Sequence, residues 1–192
     1  MAGVRQFDEG QALGRALEVF GVRGFRDTSM LDLAAGTGVQ RGSLYNAYGG
    51  KEELFLRVFG EHAERFLAGA ARALDQPDKR GALSAFFDFC VASITVGEPS
   101  RGCLSTRTAI DAAVDSPRVS AAVRALLAAL ETVVYEALTR IDDGVPLRVD
   151  VRAAARLVVA TTRGVAVLER VAYAPAELRA IGETLTTSML GC

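Results

Sequence analysis

The chain has one histidine, His62, and three cysteines, Cys90, Cys103 and Cys192, in 192 residues. A single histidine with no cysteine or carboxylate pattern around it makes no metal site, and His62 reads as an ordinary interior or half-exposed imidazole. Three cysteines make no disulfide framework, so a reducing, cytoplasmic setting is expected. No apolar run reaches the ~18 residues of a membrane span. The N-terminus lacks the basic stretch and apolar segment of a signal peptide. Strict apolar–polar alternation, internal repeats and low-complexity tracts are missing too, which removes strands as the main building material. Gly-x-Ser-x-Gly, paired His–Glu and spaced metal ligands do not occur. Gly36-Thr37-Gly38 looks superficially like a phosphate loop, but it follows a helical pattern and lacks the later Gly and Lys-Ser/Thr. No enzyme, cofactor or metal is expected.

Excess charge is scarce as well. The chain carries 22 bases and 23 acids, a net charge of −1. Seven acids and seven bases share the first sixty residues, yet Leu33 to Lys51 holds two bases and no acid. Such a segment binds nucleic acid weakly on its own and gains affinity by pairing in a dimer. Half of the residues are apolar, much for a monomer, and this points to surface covered by a partner.

The segment Thr28 to Lys51 organises the rest. Ser29 is placed to cap a helix, with Asp32 at capping-box spacing. Leu33 and Ala34 face inward, and the small Ala34 lets a second helix cross closely. Gly38, four residues on, suits a tight turn with positive φ. Val39 and Leu44 are the apolar contacts of the second helix. Gln40, Arg41, Ser43, Tyr45 and Asn46 are polar or amphipathic, so this helix keeps an outer face for another purpose. The pattern is a helix-turn-helix whose second helix enters a DNA major groove. A rival reading docks the same polar helix on protein, making the chain a helical interaction module.

The remaining helices follow from apolar spacing and breakers. The first runs from about Phe7 to Val22 with Leu13, Ala16, Leu17 and Phe20 inward, ended by Gly21 and Gly24. Phe25 plugs the small core. Arg5 precedes it, close enough to reach DNA backbone or left in solvent. A long fourth helix spans about Gly50 to Leu74, with Leu54, Phe55, Val58, Phe59, His62 and Phe66 on one side. Asp75-Gln76-Pro77-Asp78 breaks the chain before a fifth helix, about Lys79 to Val96. Gly97-Glu98-Pro99-Ser100 breaks it again. A short sixth helix runs from near Cys103 to Ala113, a seventh from Pro117 to Ile141, an eighth from Val149 to Tyr173, and a ninth from Pro175 to Leu190. The expected fold is all-α: a three-helix helix-turn-helix domain, residues 1–49, joined to a six-helix body, residues 50–192.

Ala16-Leu17-Glu18-Val19-Phe20, Gly24-Phe25, Thr28-Ser29-Met30, Leu33-Ala34, Gly38-Val39, Gly42-Ser43-Leu44-Tyr45 and Lys51-Glu52-Glu53-Leu54-Phe55 stand in an order that resembles the N-terminal domain of the TetR family of repressors. The resemblance covers roughly residues 7–60. Many members carry His where this chain has Ala47, so one DNA contact common in the family is absent here. By analogy and geometry together, Arg41, Ser43 and Asn46 include the base readers, beside Gly42. Tyr45, Lys51, Thr28 and Ser29 hold phosphates. Tyr48 packs under the helix. The partners implied are double-stranded palindromic operator DNA, a small-molecule effector and a second copy of the chain, with no membrane.

In the body, Arg101-Gly102-Cys103-Leu104 resembles the start of the sixth helix in one branch of the family. The eighth helix is apolar on two sides, with Val151, Ala155, Val158, Val159, Thr162, Val165 and Ala166 on one. Ala153, Leu157, Ala160, Thr161, Gly164 and Leu168 cover much of the other. That second face fits a dimer through the last two helices, which the resemblance also implies, or else a helix at the centre of a monomeric bundle. The resemblance places an inducer pocket between helices four and eight. Phe66, Phe86, Phe87, Phe89, Cys103, Arg107, Ile110 and Tyr135 are its candidates, against ordinary core packing. Cys103 itself has two readings. One is a small buried hydrophobe. The other is a reactive thiol, favoured by a helix N-terminus and by Arg101 or Arg107, which makes a redox- or electrophile-sensing repressor. Cys90 serves as a resolving thiol only if folding brings it near.

Overall fold

The computed structural model describes residues 7–97, 100, 102–112 and 116–191. Arg5, Glu98 and Pro99 of the predicted break, Arg101, the Ala113 end of the sixth helix, and Cys192 lie outside the described residues. The helices are α1 (Glu9–Arg23), α2 (Met30–Thr37), α3 (Arg41–Tyr48), α4 (Lys51–Ala73), α5 (Lys79–Ile94), α6 (Leu104–Ala112), α7 (Pro117–Arg140), α8 (Val151–Glu169) and α9 (Pro175–Met189). The described residues contain no strand, only an isolated bridge between Leu147 and Leu190. The fold is all-α.

Two compact units divide the chain, one of residues 1–64 and 107–123, the other of residues 65–106 and 124–192. The boundary read from sequence at residue 49 therefore lies inside the first unit. The reason is aromatic. Phe55 of α4 meets Phe20 edge-on at 5.0 Å and Phe25 at 4.9 Å, and stacks on Phe59 at 5.4 Å. Phe20, Phe55 and Phe59 are fully buried. Burying each ring is worth about 1.5–3 kcal/mol, so α4 belongs to the core that α1 builds.

In the first unit, α1 starts two residues later than its apolar stripe suggests, because Asp8 accepts from the Gln11 N–H at 3.0 Å and caps it. Gly21 does not end the helix; it is buried inside it, and Gly24, with φ of 81°, closes it. A close approach that the sequence reading did not single out falls at Gly36. A Cβ there would lie 2.3 Å from Val19 Cγ2, so only glycine lets α2 meet α1 at this point.

The second unit packs α5, α7, α8 and α9 and the end of α4 around Leu83, Phe86, Phe87, Leu130, Val134, Leu138 and Val158. Gly182 of α9 lies directly under Phe87, where a Cβ would be 2.4 Å from Cγ. Lys79, at the start of α5, donates to Asp143 Oδ1 at 2.5 Å and to the Val145 carbonyl at 3.1 Å. The Asp143 carboxyl is held well below the usual range, first by that Lys79 side-chain hydrogen bond and then by the Lys79 N–H. The predicted eighth helix is shorter than its apolar pattern: α8 stops at Glu169, and Ala172 takes φ of 66° in the following turn.

Candidate nucleic-acid interface

The helix-turn-helix is built from local chemistry. Ser29 caps α2: its hydroxyl and N–H both donate to Asp32 Oδ2, at 2.6 and 2.8 Å, and its Oγ accepts from the Asp32 N–H at 3.2 Å. Hydrogen bonds from the Ser29 hydroxyl, then its N–H, and the Arg23 charge at 2.9 Å hold the Asp32 carboxyl below its ordinary value. At the other end of α2, Gly38 is left-handed with φ of 71°, and its N–H reaches the Ala34 carbonyl. The Thr37 hydroxyl donates back to Leu33 and accepts from the Val39 N–H. Arg15 of α1 donates to the Thr37 carbonyl at 3.2 Å. The turn angle is thus fixed by three independent hydrogen-bonding groups.

Leu44 is the fully buried residue of α3. Arg41, Gly42 and Asn46 are exposed, Tyr45 is 46% exposed, and Ser43 is half-buried. Gln40 makes no side-chain cap, so the first N–H groups of α3 receive none from it. Tyr48 is half-buried with its ring 6.5 Å from Phe7. An open cleft of about 480 Å³ is lined by Arg26, Thr28, Ser29, Arg41, Tyr45 and Lys51, together with Asp27, Met30 and Leu31. Four of the expected contact residues other than Thr28 thus share one wall-to-wall feature.

Two expected contacts are arranged differently from their sequence reading. Thr28 is 2% exposed, and its hydroxyl donates to the Gly24 carbonyl at 2.5 Å. Its side chain therefore shapes the loop instead of facing a phosphate. Lys51 Nζ donates to the carbonyls of Phe25 and Arg26, at 3.0 and 3.2 Å, and sits 4.6 Å above the Phe25 ring. It ties the α1–α2 loop to α4 from the rim of the cleft. Arg26, which sequence reading passed over, is the added cation of the cleft; its place two residues before the Thr28-Ser29 pair was the signal.

The candidate effector residues separate. Phe86 and Phe87 are core side chains, 0% and 2% exposed. Phe66 and Phe89 are half-buried and form a tilted pair at 5.3 Å. Tyr135 lies under the Arg152 guanidinium at 3.9 Å. Ile110 is 69% exposed. Arg107 turns to the α1 terminus, donating to the carbonyls of Gly21 and Val22 at 3.2 and 2.6 Å. It satisfies carbonyls that the helix end leaves open, and so it is not the cation beside Cys103.

That cation is Arg163 of α8. Its Nη1 lies 3.4 Å from Cys103 Sγ and donates to Ser105 Oγ at 2.7 Å. Burial pushes the Cys103 thiol up, but the Arg163 charge and hydrogen bonds from Ser105 and Thr106 outweigh it, so the thiol lies below its ordinary value. Burial pushes Cys90 the other way, up to about 12, with the Cys103 charge adding to the rise.

On α8, Ala154, Ala155, Val158, Val159, Thr162, Val165 and Ala166 are buried. On the opposite side Leu157 is 44% and Val167 48% exposed, with Ala160 and Gly164 exposed and Ala153, Thr161 and Leu168 half-buried. Among the described residues no helix is long and apolar enough to cross a membrane.

Residues 12–58 match the family described as bacterial regulatory proteins, tetR family. Over 140 residues the chain is 31% identical to the uncharacterized HTH-type transcriptional regulator YezE of Bacillus subtilis, with 72% of each chain covered. The HTH-type transcriptional activator FasR of Mycolicibacterium smegmatis is 36% identical over 85 residues, 42% of this chain and 39% of FasR. A cysteine variant of the TetR family regulator CifR, complexed with 26-base-pair operator DNA, has a TM-score of 0.85 at 25% identity, over 98% of this chain and 100% of that one. The polar outward face of α3, set on a capped and hydrogen-bonded turn, is thus that of a DNA-binding transcriptional regulator and not of an enzyme, and the chain belongs to the TetR family.

Proposed function

We propose that the protein is a cytoplasmic homodimeric repressor that leaves a palindromic operator when a small molecule binds its second unit. The observation that carries the reading is the outer face of α3: Arg41, Gly42, Tyr45 and Asn46 point away from the core beside a cleft with three further cationic or hydroxyl groups, Arg26, Ser29 and Lys51. Arg41, Ser43 and Asn46 read base edges; Tyr45 and the remaining ammonium proton of Lys51 meet phosphates, and Ser29 and Thr28 set the loop that presents them. The exposed apolar strip of α8, Leu157 with Ala160, Gly164 and Val167, is the dimer face. Two heads then meet half-sites about one DNA turn, roughly 34 Å, apart. An effector that prefers another head spacing lowers operator affinity by linkage. The half-buried Phe66–Phe89 pair supports an apolar effector site in the second unit. Repression is the simpler sign, because operator occupancy alone blocks a promoter, whereas activation needs a further contact.

The test combines sedimentation with operator titration. Native protein sediments as a dimer at micromolar concentration and binds a palindromic duplex in a salt-dependent, sequence-selective way. Leu157→Glu puts a charge into the dimer face, gives a monomer, and loses on the order of 10²-fold in affinity with the linkage between heads. A dimeric Leu157→Glu, or a native monomer with full operator affinity, would overturn the assembly.

A second reading is favoured by one contact, Arg163 on Cys103. A thiolate stabilised there attacks an electrophilic carbon, forming a thioether as a leaving group departs or as the neighbouring carbon of a conjugated alkene takes a proton; or it attacks the oxygen of a peroxide, whose O–O bond breaks to leave a sulfenic acid and release hydroxide or alkoxide. Cys103 should be alkylated by iodoacetamide at lower pH than a free thiol, while Cys90, buried and with its thiol pushed up, should react far more slowly in the folded protein. Peroxide should then weaken operator binding in the native chain and not in Cys103→Ser. If the folded thiol resists alkylation, or both proteins respond alike, Cys103 is structural and the effector non-covalent.

A further inference from the structure

We infer that Arg118 and Ser116, at the start of α7, are positioning residues for operator binding: they hold the first turn of α4 and offset one of the two negative charges of Glu52 and Glu53, carboxylates beside the DNA-facing surface. The inference rests on the placement of α3 in the groove proposed above.

Lys51, Glu52 and Glu53 form the first turn of α4, directly after the Gly49-Gly50 link from α3. The Glu53 Cγ lies 3.9 Å from where a Gly49 Cβ would be, so the side chain sits against the left-handed residue that ends α3. Acids here suit the α4 helix dipole. They oppose phosphates, however, and the neighbouring cation Lys51 has its ammonium turned to two carbonyls. The first sixty residues carry as many acids as bases, so no general positive field hides the two carboxylates.

Arg118 and Ser116 come from 64 to 66 positions further along the chain. The Arg118 fork takes both Glu53 oxygens, Nη1 on Oε1 and Nη2 on Oε2 at 3.2 Å. Nη1 also reaches Glu52 Oε1 at 3.2 Å. The last oxygen, Glu52 Oε2, accepts from Ser116 Oγ at 2.8 Å. Ser116 is 3% exposed, and its Oγ accepts from the Val119 N–H at 3.1 Å, which leaves its proton aimed at Glu52. All four carboxylate oxygens are therefore filled by one guanidinium and one hydroxyl. A single exposed ion pair is worth little. A bidentate fork shared by two acids, with a buried hydroxyl completing it, both fixes geometry and cancels one of the two negative charges. Hydrogen bonding to Arg118 also holds the Glu53 carboxyl below its ordinary value.

The experiment measures operator affinity of the full-length protein by fluorescence anisotropy across a salt series. Arg118→Ala should bind about tenfold more weakly near physiological salt, with the deficit shrinking as salt screens the uncovered acids. The triple variant Arg118→Ala, Glu52→Gln, Glu53→Gln should return to within about threefold of native affinity, since the charge to be masked is gone. Arg118→Lys keeps the charge without the fork and should fall between native and Ala; it replaces Ala as the reporter if Ala lowers the melting temperature. A triple variant as weak as Arg118→Ala makes the clamp mere packing and overturns the inference. So does native affinity in Arg118→Ala when Arg41→Ala binds poorly. No effect of Arg41→Ala removes the groove placement, and the inference with it.

Discussion

Phe55→Ala is expected to unfold the first unit at temperatures the native protein tolerates, at a cost of about 3–5 kcal/mol. Phe55 is 0% exposed and touches three other rings, Phe20, Phe25 and Phe59. Alanine removes the buried ring and leaves a cavity whose walls come from α1, the α1–α2 loop and α4. Those walls are held by hydrogen bonds to fixed points, among them Lys51 to the Phe25 carbonyl, so collapse around the missing ring is restricted. Each edge-on or stacked ring pair adds about 0.5–1.5 kcal/mol beyond area alone. Urea unfolding, read with amide exchange in α1 to α3, checks this. A loss below about 1 kcal/mol would mean that the site closes over, and that α4 is a lesser part of this core than its burial indicates.

Arg41→Ala is expected to keep stability and lose recognition. Arg41 is exposed, and surface replacements away from special features change stability by less than about 0.5 kcal/mol. A bidentate guanine contact is worth about 1–3 kcal/mol of discrimination, and a dimer spends it twice, so operator affinity should fall on the order of a hundredfold. Base preference should relax at one position in each half-site, while binding to unrelated DNA changes little. Competition titrations with single-position operator variants measure both effects. Unchanged affinity and preference together would put α3 elsewhere on the duplex.

What could be read from sequence was local. Ser29 and Asp32 are three residues apart, and their capping box needs nothing from the rest of the chain. Gly38 and the apolar spacing of α1 and α4 are of the same kind. What escaped reading depends on which distant groups meet. Cys103 was expected to draw charge from Arg101 or Arg107, its neighbours in sequence. Among the described residues the charge comes from Arg163, 60 positions away, while Arg107 donates to open carbonyls at the end of α1 and Arg101 lies outside the described residues. Ile110 carries the right residue type for a cavity wall but lies on the outer side of its helix, and a nine-residue helix has too few turns to declare its face. The close crossing of α2 and α1 at Gly36 was not singled out, since only the position of Val19, a residue of another helix, marks that glycine among the small residues of α2.

Leu44 is the sole residue of α3 that the core fully encloses. The helix is bounded by glycines with left-handed backbones at 38 and 49 and steered by bonds made within α2, so its own outward side chains do almost nothing to keep it in place. Substitutions at 41, 42, 45 and 46 are consequently close to free of folding cost. A lineage or a selection experiment can redraw what this surface reads one letter at a time, without passing through an unstable intermediate. Libraries randomised at those four positions should therefore stay almost wholly folded, which makes the chain a tractable starting point for assigning new DNA addresses to an existing signal.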